Sequence, residues 1–193
     1  TPMSFGICLL SIVPCRKEPD NCSEMVTQLL FGETYSVLES NEDWLRIKVS
    51  NDGYECWINR KQHRKITEAN YRQLQKSPTF LCSDLSCMVN ERSTGIEFPI
   101  TCGAQLPFLS KEAMSFEGNE FVFEGTACKS SEKKGGRSII QTAKKFLNAP
   151  YLWGGKSPFG IDCSGFTQIV FKLNGFQLPR DASQQVELGE PLN

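Results

Sequence analysis

The chain has 193 residues, a net charge of −1, 39% hydrophobic residues and 22% charged residues. This length fits one large domain or two to three small ones, and the composition is ordinary for a globular protein. Because the sequence has neither an excess of basic residues nor a basic stripe, nucleic acid is not expected as a partner.

The longest apolar run, residues 6–15, contains Ser11 and Pro14. It falls far short of the roughly 20 residues that cross a bilayer, so no membrane span is predicted.

Nine cysteines are many for so short a chain. Reducing compartments seldom hold so many without a metal, and no paired zinc-binding spacing is present. The cysteine content therefore favours an extracytoplasmic protein, periplasmic or secreted, with Thr1 close to the mature N-terminus. A cytosolic protein with unpaired buried thiols is the alternative. The candidate disulfides are Cys15 with Cys22, Cys82 with Cys87, and Cys102 with Cys128.

Residues 1–68 are predicted to form a first small β module. Apolar and polar side chains alternate along residues 44–49, which is the period of a half-buried strand. The dipeptide Asp52-Gly53 then favours a hairpin turn, and residues 54–58 supply the return strand. Closely spaced hairpins of this kind are typical of a small barrel.

Residues 72–128 are predicted to form a second, weaker copy of the module, because short apolar stretches recur between clusters of Gly, Ser and Pro. The polar segment between the two modules, residues 67–75, fits a short helix. Residues 129–137 contain a glycine pair and no apolar side chain, which is typical of a linker.

The hydrophobic period changes from 2 to 3.6 after the linker, which marks a domain boundary. Ser138, with Gln141 three residues later, fits a capping box. The apolar side chains up to Leu147 share one helical face, so a helix is predicted over residues 138–147.

Cys163 is predicted to stand where a loop enters a helix. Glycines and a proline crowd residues 154–160, and apolar side chains repeat at helical spacing from Ser164 to Leu173. At such a position the free backbone N–H groups and the helix dipole favour the thiolate, which is the attacking form of a nucleophilic cysteine. A small core cysteine is the plainer interpretation of the same pattern.

The sequence around this cysteine, WGGxxPxGxDCSGF at residues 153–166 and LPRDASQQ at residues 178–185, resembles the NlpC family of bacterial peptidoglycan peptidases. The resemblance implies a papain-like fold and a Cys/His/polar triad. The stretches LLFGE at residues 29–33 and GYxxW at residues 53–57 are similar to bacterial SH3-like domains. Two such modules before an NlpC domain resemble the γ-D-glutamyl-L-diamino acid endopeptidases, also called dipeptidyl-peptidase VI.

The fold expected from this resemblance is multi-domain. Two small all-β SH3-like barrels precede a partial α+β papain-like peptidase domain, whose N-terminal half is residues 138–193. No metal or organic cofactor is expected.

The resemblance also implies roles for six residues. Cys163 would be the nucleophile, and Asp162 would pair with the α-ammonium of the substrate. A buried carboxylate of this kind would read a free N-terminus. The further substrate-binding residues would be Ser164 in the same pocket, Trp153 as an apolar wall, and Tyr54 and Glu33 from the first module. Helix capping by Asp162, turn packing by Tyr54 and a solvated Glu33 are the alternatives.

The general base of the family is a histidine downstream of the nucleophile, and no histidine follows Cys163 in this chain. Its only histidine, His63, lies in a polar stretch at the end of the first module. Three explanations are open: a piece of a longer protein, a second chain that supplies the histidine, or a non-catalytic relative. We favour the first, so the 193 residues alone are expected to be inactive, and the missing C-terminal segment is an expected partner.

The function predicted is hydrolysis of the γ-D-glutamyl–diamino acid bond in peptidoglycan peptides (muropeptides) that carry a free N-terminal L-Ala. One rival is a wall-binding protein with an inactive peptidase remnant. Another is an endopeptidase that cleaves intact cell wall and uses the modules as anchors.

Overall fold

The computed structural model describes residues 4–190, which form mostly β-sheet with few helices. Residues 1–3 and 191–193, at the ends of the first and last predicted segments, lie outside the described residues. The first seven strands are β1 (Ser4–Ile7), β2 (Ile12–Arg16), β3 (Met25–Leu30), β4 (Thr34–Ser40), β5 (Trp44–Val49), β6 (Glu55–Asn59) and β7 (Arg64–Ile66).

These seven strands form one antiparallel sheet in the order β3-β2-β6-β5-β4-β1-β7. The predicted alternation in β5 is confirmed from Leu45 to Val49, since Leu45, Ile47 and Val49 are buried while Lys48 is exposed. Trp44, which the pattern places on the outer face, is buried as well. The predicted pairings of β5 with β4 and β6 are confirmed as well. In the turn between β5 and β6, Gly53 adopts a φ of +71°, a conformation that glycine reaches without strain.

The next strands belong to two smaller antiparallel sheets. They are β8 (Phe80–Cys82), β9 (Ser86–Glu91), β10 (Ile96–Thr101), β11 (Gln105–Leu106), β12 (Ala113–Phe116), β13 (Asn119–Glu124) and β14 (Ala127–Lys129). Phe31 inserts from the first sheet, with its ring centroid 5.8 Å from those of Phe98 and Phe121. Beside it, Gly32 has a positive φ, and a Cβ there would collide with the Gln105 carbonyl. The LLFGE stretch therefore serves as a contact between two sheets.

The last part of the chain contributes a short hairpin and most of the helices. The elements are α1 (Glu68–Lys76), α2 (Gly136–Lys144), β15 (Lys156–Ser157), β16 (Gly160–Ile161), α3 (Cys163–Lys172) and α4 (Ala182–Val186). A 3-10 turn covers Arg60–Gln62. The helix predicted between the modules is confirmed as α1, with Thr67 as its N-cap.

The predicted start of the helix at Ser138 is wrong. Helix α2 begins two residues earlier, with Gly135 as its N-cap. The Ser138 hydroxyl instead donates to Asn174 Oδ1 at 2.7 Å, and so ties α2 to the end of α3. A capping pattern in sequence does not reveal such a tertiary partner.

Helix α3 is the central helix of this region. Its residues Ile169 and Val170 are buried, and they share one apolar core with Leu30 and Phe31 of the first sheet. The nucleophile candidate thus stands on an element that is packed against the strands of the first module.

All nine cysteines lie within the described residues and are free thiols, so none of the three candidate disulfides is formed. The Sγ atoms of Cys82 and Cys87 are nevertheless 2.8 Å apart. Among residues 4–190, every helix is too short or too polar to span a bilayer.

Candidate active site

Cys163 is the first residue of α3, as the sequence predicts, and it is exposed. Asp162 is the N-cap, and its Oδ1 accepts a hydrogen bond from the Gly165 backbone at 2.7 Å. A Cβ at position 165 would collide with the Gly155 carbonyl, so glycine allows the first turn of α3 to pack against the preceding loop. The sulfur therefore faces solvent from a rigid helix start.

Arg180 holds the residues around Cys163 in place. This fully buried side chain donates to both carboxylate oxygens of Asp162, at 3.0 and 2.8 Å, and to Ser164 Oγ at 2.8 Å. It also donates to Thr27 Oγ1 in β3 at 2.9 Å, which links the first sheet to the nucleophile loop. Burial raises the pKa of Asp162, but the hydrogen bonds from Arg180 and Gly165 outweigh it, and the pKa is lowered overall.

A cavity of about 450 Å³ opens in front of Cys163. It is lined by Lys17, Glu24, Val26, Tyr54, Glu55, Tyr151, Trp153, Asp162, Cys163, Ser164, Arg180, Asp181, Ala182 and Ser183. The structure thus brings together five of the six predicted site residues. We call this cavity the front pocket.

The first module forms one wall of the front pocket. Trp153 Nε1 donates to Glu24 Oε1 at 2.7 Å. The loop after β2 is therefore held against Trp153, the residue that was predicted to form an apolar wall. The first module also contributes Tyr54 to the lining: burial raises the pKa of Tyr54 to about 12, and the negative charge of Asp181 adds to this shift. The Tyr54 hydroxyl and the Asp181 carboxylate therefore face each other across the two parts of the chain.

The front pocket is acidic. Its lining has four carboxylates, those of Glu24, Glu55, Asp162 and Asp181, and two basic side chains. Asp162 is neutralised by Arg180, Glu55 pairs with Arg46 at 2.7 Å, and Glu24 has a looser contact with Lys17 at 3.5 Å. Among the described residues, Asp181 forms no ion pair within 4 Å. It is therefore the carboxylate best placed to attract a cation.

Glu33 is not brought to the front pocket, contrary to the prediction. It is fully buried between β3 and β4, where its carboxylate accepts from Lys172 Nζ at 2.8 Å and Lys156 Nζ at 3.3 Å. Burial raises the pKa of Glu33, but the two ammonium groups prevail and hold it at about 2. The charge of this turn is compensated inside the protein by two lysines far along the chain.

His63 does not line the front pocket either. Its Nδ1 lies 3.0 Å from the Tyr35 hydroxyl, and burial, with nearby Arg60 and Lys65, lowers its pKa. Within residues 4–190, no group of three or more His, Cys, Asp or Glu side chains is arranged to hold a metal ion.

Sequence reasoning assigned no role to Asp181, Glu24 or Arg180. Two of the three lie in the LPRDASQQ stretch that supports the resemblance, so a signal was present for them. Nothing in the local pattern marks Glu24, because only the packing of the first module brings it near Cys163.

Comparison with known proteins identifies the two parts of the chain that meet at this site. Residues 15–62 match the bacterial dipeptidyl-peptidase SH3 domain, and residues 148–192 match the NlpC/P60 family. The chain carries an NlpC/P60 domain. The resemblance seen in the sequence is therefore confirmed, as is an SH3-like domain before it.

Curated relatives are similar to most of this chain. It is 35% identical over 188 residues to a γ-D-glutamyl-L-lysine dipeptidyl-peptidase of Bacillus subtilis, with 88% of this chain and 60% of the relative covered. A protein of the same name from Bacillus cereus is 28% identical over 189 residues, with 88% of this chain and 56% of the relative covered. The chain thus spans about 60% of the length of these relatives.

Two solved structures share the fold of this chain. An NlpC/P60 family protein from Bacillus cereus superposes with a TM-score of 0.85 at 21% identity, covering 98% of this chain and 79% of that one. An NlpC/P60 endopeptidase from Photobacterium damselae subsp. piscicida superposes with a TM-score of 0.74 at 16% identity, covering 94% and 45%.

Proposed function

We propose that this chain belongs to a cysteine peptidase that hydrolyses the γ-D-glutamyl–diamino acid bond of peptidoglycan peptides with a free N-terminal L-Ala. The observation that supports this most is the placement of exposed Cys163 at a helix start, in a pocket whose acidic wall includes Asp181. The names of the Bacillus relatives agree with the bond proposed.

The chemistry proposed is acyl transfer to sulfur. The Cys163 thiolate adds to the γ-carbonyl of D-Glu, and collapse of the tetrahedral adduct gives a thioester and releases the amine of the diamino acid. That amine must take up a proton as it leaves. Water then hydrolyses the thioester and regenerates the thiol. The resemblance assigns the proton transfers to a histidine, and none of the residues 4–190 supplies one at the front pocket.

The free N-terminus of the substrate would be recognised by its positive charge and by the closed end of the front pocket. An α-ammonium at Asp181 and the Tyr54 hydroxyl would neutralise the surplus negative charge of the front pocket. The first module closes this end through the contact between Trp153 and Glu24, so a longer stem peptide would meet a wall. A peptide with a capped amine would bind poorly, because its complex would leave the Asp181 carboxylate buried without a cation.

The test uses the protein purified from its own host. We expect hydrolysis of L-Ala-γ-D-Glu-L-Lys, much slower hydrolysis of its N-acetyl form, and no hydrolysis after Cys163→Ala. Equal cleavage of both peptides would favour the endopeptidase that acts on intact wall. A folded protein that binds wall fragments and cleaves neither peptide would favour the binding protein.

The location of the protein is a separate proposal. Recovery of the protein in the periplasm or culture medium would support the extracytoplasmic site proposed for recycling of wall peptides.

A further inference from the structure

A second cavity of about 290 Å³ lies further along α3 than the front pocket, beside Gln168 and Lys172. We call it the rear cavity. It is lined by Glu33, Asn51, Asp52, Thr79, Leu81, Gln105, Ser130, Ser131, Lys156, Gln168, Lys172, Gly175, Phe176, Gln177 and Leu178. It shares no lining residue with the front pocket. It lies between both β parts of the chain and α3.

One end of the rear cavity offers a cation with spare hydrogen-bonding capacity. Lys172 Nζ donates to Glu33 Oε1 at 2.8 Å and to the Gly103 carbonyl at 2.9 Å, so one of its three N–H groups has no partner among the described residues. Two ammonium groups, those of Lys156 and Lys172, share the single Glu33 carboxylate. Burial lowers the pKa of Lys172, and Glu33 offsets only part of that penalty.

Two hydrogen-bond acceptors that have no cationic partner lie on the face of α3 that carries Lys172. Gln168 precedes Lys172 by one helical turn, so both side chains project in the same direction. Gln168 Nε2 donates to Asp52 Oδ2 at 2.9 Å, while Gln168 Oε1 is buried with no donor. Among the described residues, Asp52 forms no ion pair within 4 Å, although it lines the cavity. A buried acceptor without a donor is costly, so this pair of groups is suited to an incoming N–H donor.

We propose that the rear cavity binds a free amino acid or a similar small zwitterion. Its carboxylate would lie at Lys172, and its ammonium group would lie between Asp52 and Gln168 Oε1. Lys156, Lys172, Glu33 and Asp52 together carry no net charge, which suits a ligand that is neutral overall but charged at both ends. A carboxylate alone or an amine alone would satisfy only one end.

The rear cavity has a direct connection to the front pocket. Asp52 Oδ1 accepts from the Tyr54 backbone N–H at 3.0 Å, and Tyr54 lines the front pocket. A zwitterion held at Asp52 would therefore brace the turn that presents Tyr54. This site is independent of the peptidase proposal, since its binding test requires no catalysis.

The test measures L-alanine binding by calorimetry, with Cys22→Ser removing the other exposed thiol and Cys163 alkylated to block the front pocket. We expect L-alanine to bind, and N-acetyl-L-alanine and L-alaninamide each to bind about tenfold more weakly, because each lacks one charge-assisted contact. No binding of L-alanine, or equal binding of all three compounds, would overturn the proposal.

The matched variants are Lys172→Met and Lys144→Met. Lys172→Met leaves Glu33 paired with Lys156, and we expect it to weaken L-alanine binding about tenfold while the melting temperature shows that the protein is folded. Lys144→Met removes an exposed lysine at the end of α2 and should change nothing. Binding that survives Lys172→Met, or that disappears on alkylation of Cys163, would assign the amino acid to the front pocket and contradict the proposal. If Lys172→Met does not fold, the three-compound series on the parent protein decides alone.

Discussion

Two carboxylates beside Cys163 differ in their surroundings. Asp162 accepts two hydrogen bonds from Arg180 and others from the backbone, so its charge is compensated within the protein. Asp181 has no ion pair among residues 4–190 and lies beside Tyr54 in the front pocket, where it helps to raise the pKa of the Tyr54 hydroxyl. The sequence suggested Asp162 as the partner of the substrate ammonium, and the contacts favour Asp181 for that role. Asp162 is better suited to shaping the helix start.

Replacing Asp181 by asparagine is expected to weaken binding of the dipeptide L-Ala-γ-D-Glu about tenfold or more, because a charge-assisted hydrogen bond is lost at almost unchanged volume. Calorimetry measures the affinity. Asp43→Asn, an exposed site in the first module, is the control and should have no effect. Equal affinities of Asp181→Asn and the parent protein would remove Asp181 from the ammonium site.

At the scale of elements, the start of α3 depends on a segment beyond the helix itself. Arg180 lies just before α4, and Gln185 in α4 donates to the Ser164 carbonyl at 3.0 Å. The loop, α3 and α4 therefore form one hydrogen-bonded unit around the sulfur. Its geometry is set by buried charge, which is strongly directional, rather than by apolar packing alone.

Arg180→Met is expected to lower the free energy of unfolding by about 3–5 kcal/mol, because it leaves the Asp162 carboxylate buried without its cation. The double variant Asp162→Asn/Arg180→Met should be less destabilised than the single one, since no unpaired charge remains. Urea denaturation provides the measurement. Arg72→Met, which removes an exposed pair with Glu68, is the control and should cost less than about 1 kcal/mol. Similar losses for Arg180→Met and Arg72→Met would contradict this account.

At the scale of the whole molecule, one buried carboxylate joins three parts of the chain. Glu33 belongs to the first module, Lys156 to the hairpin before Cys163, and Lys172 to the end of α3. Lys172 also donates to the Gly103 carbonyl of the second β part. The orientation of the nucleophile helix relative to the pocket wall thus depends on this ion cluster.

Acid is expected to weaken this junction. The pKa of Glu33 is lowered from 4.5 to about 2 in the folded protein, so its contribution is fully present above pH 4.5 and is lost as the pH falls towards 2. A shift of that size corresponds to about 3 kcal/mol. Unfolding free energies measured across this range should fall more steeply for the parent protein than for Glu33→Gln/Lys172→Met, which keeps a single buried lysine. Parallel pH profiles would show that Glu33 contributes nothing.

The sequence predicted features that depend on neighbouring residues. The alternation in β5, the Gly53 turn and the placement of Cys163 at a helix start all follow from local periodicity and turn chemistry. The start of α2 was wrong because Ser138 has a tertiary partner in Asn174. Glu33 was misplaced because its charge is compensated by lysines 123 and 139 residues away. Long-range pairings of buried charge leave no periodic signal in sequence.

The distribution of thiols gives the protein two ready attachment points. Of the nine cysteines, only Cys22 and Cys163 are exposed, and Cys22 stands two residues before Glu24, on the loop that meets Trp153. Maleimide dyes would therefore attach at Cys163 in the front pocket and on the loop that carries Glu24, without any engineered cysteine. Contact quenching between such dyes would report whether the loop that carries Glu24 stays close to the nucleophile helix in single molecules.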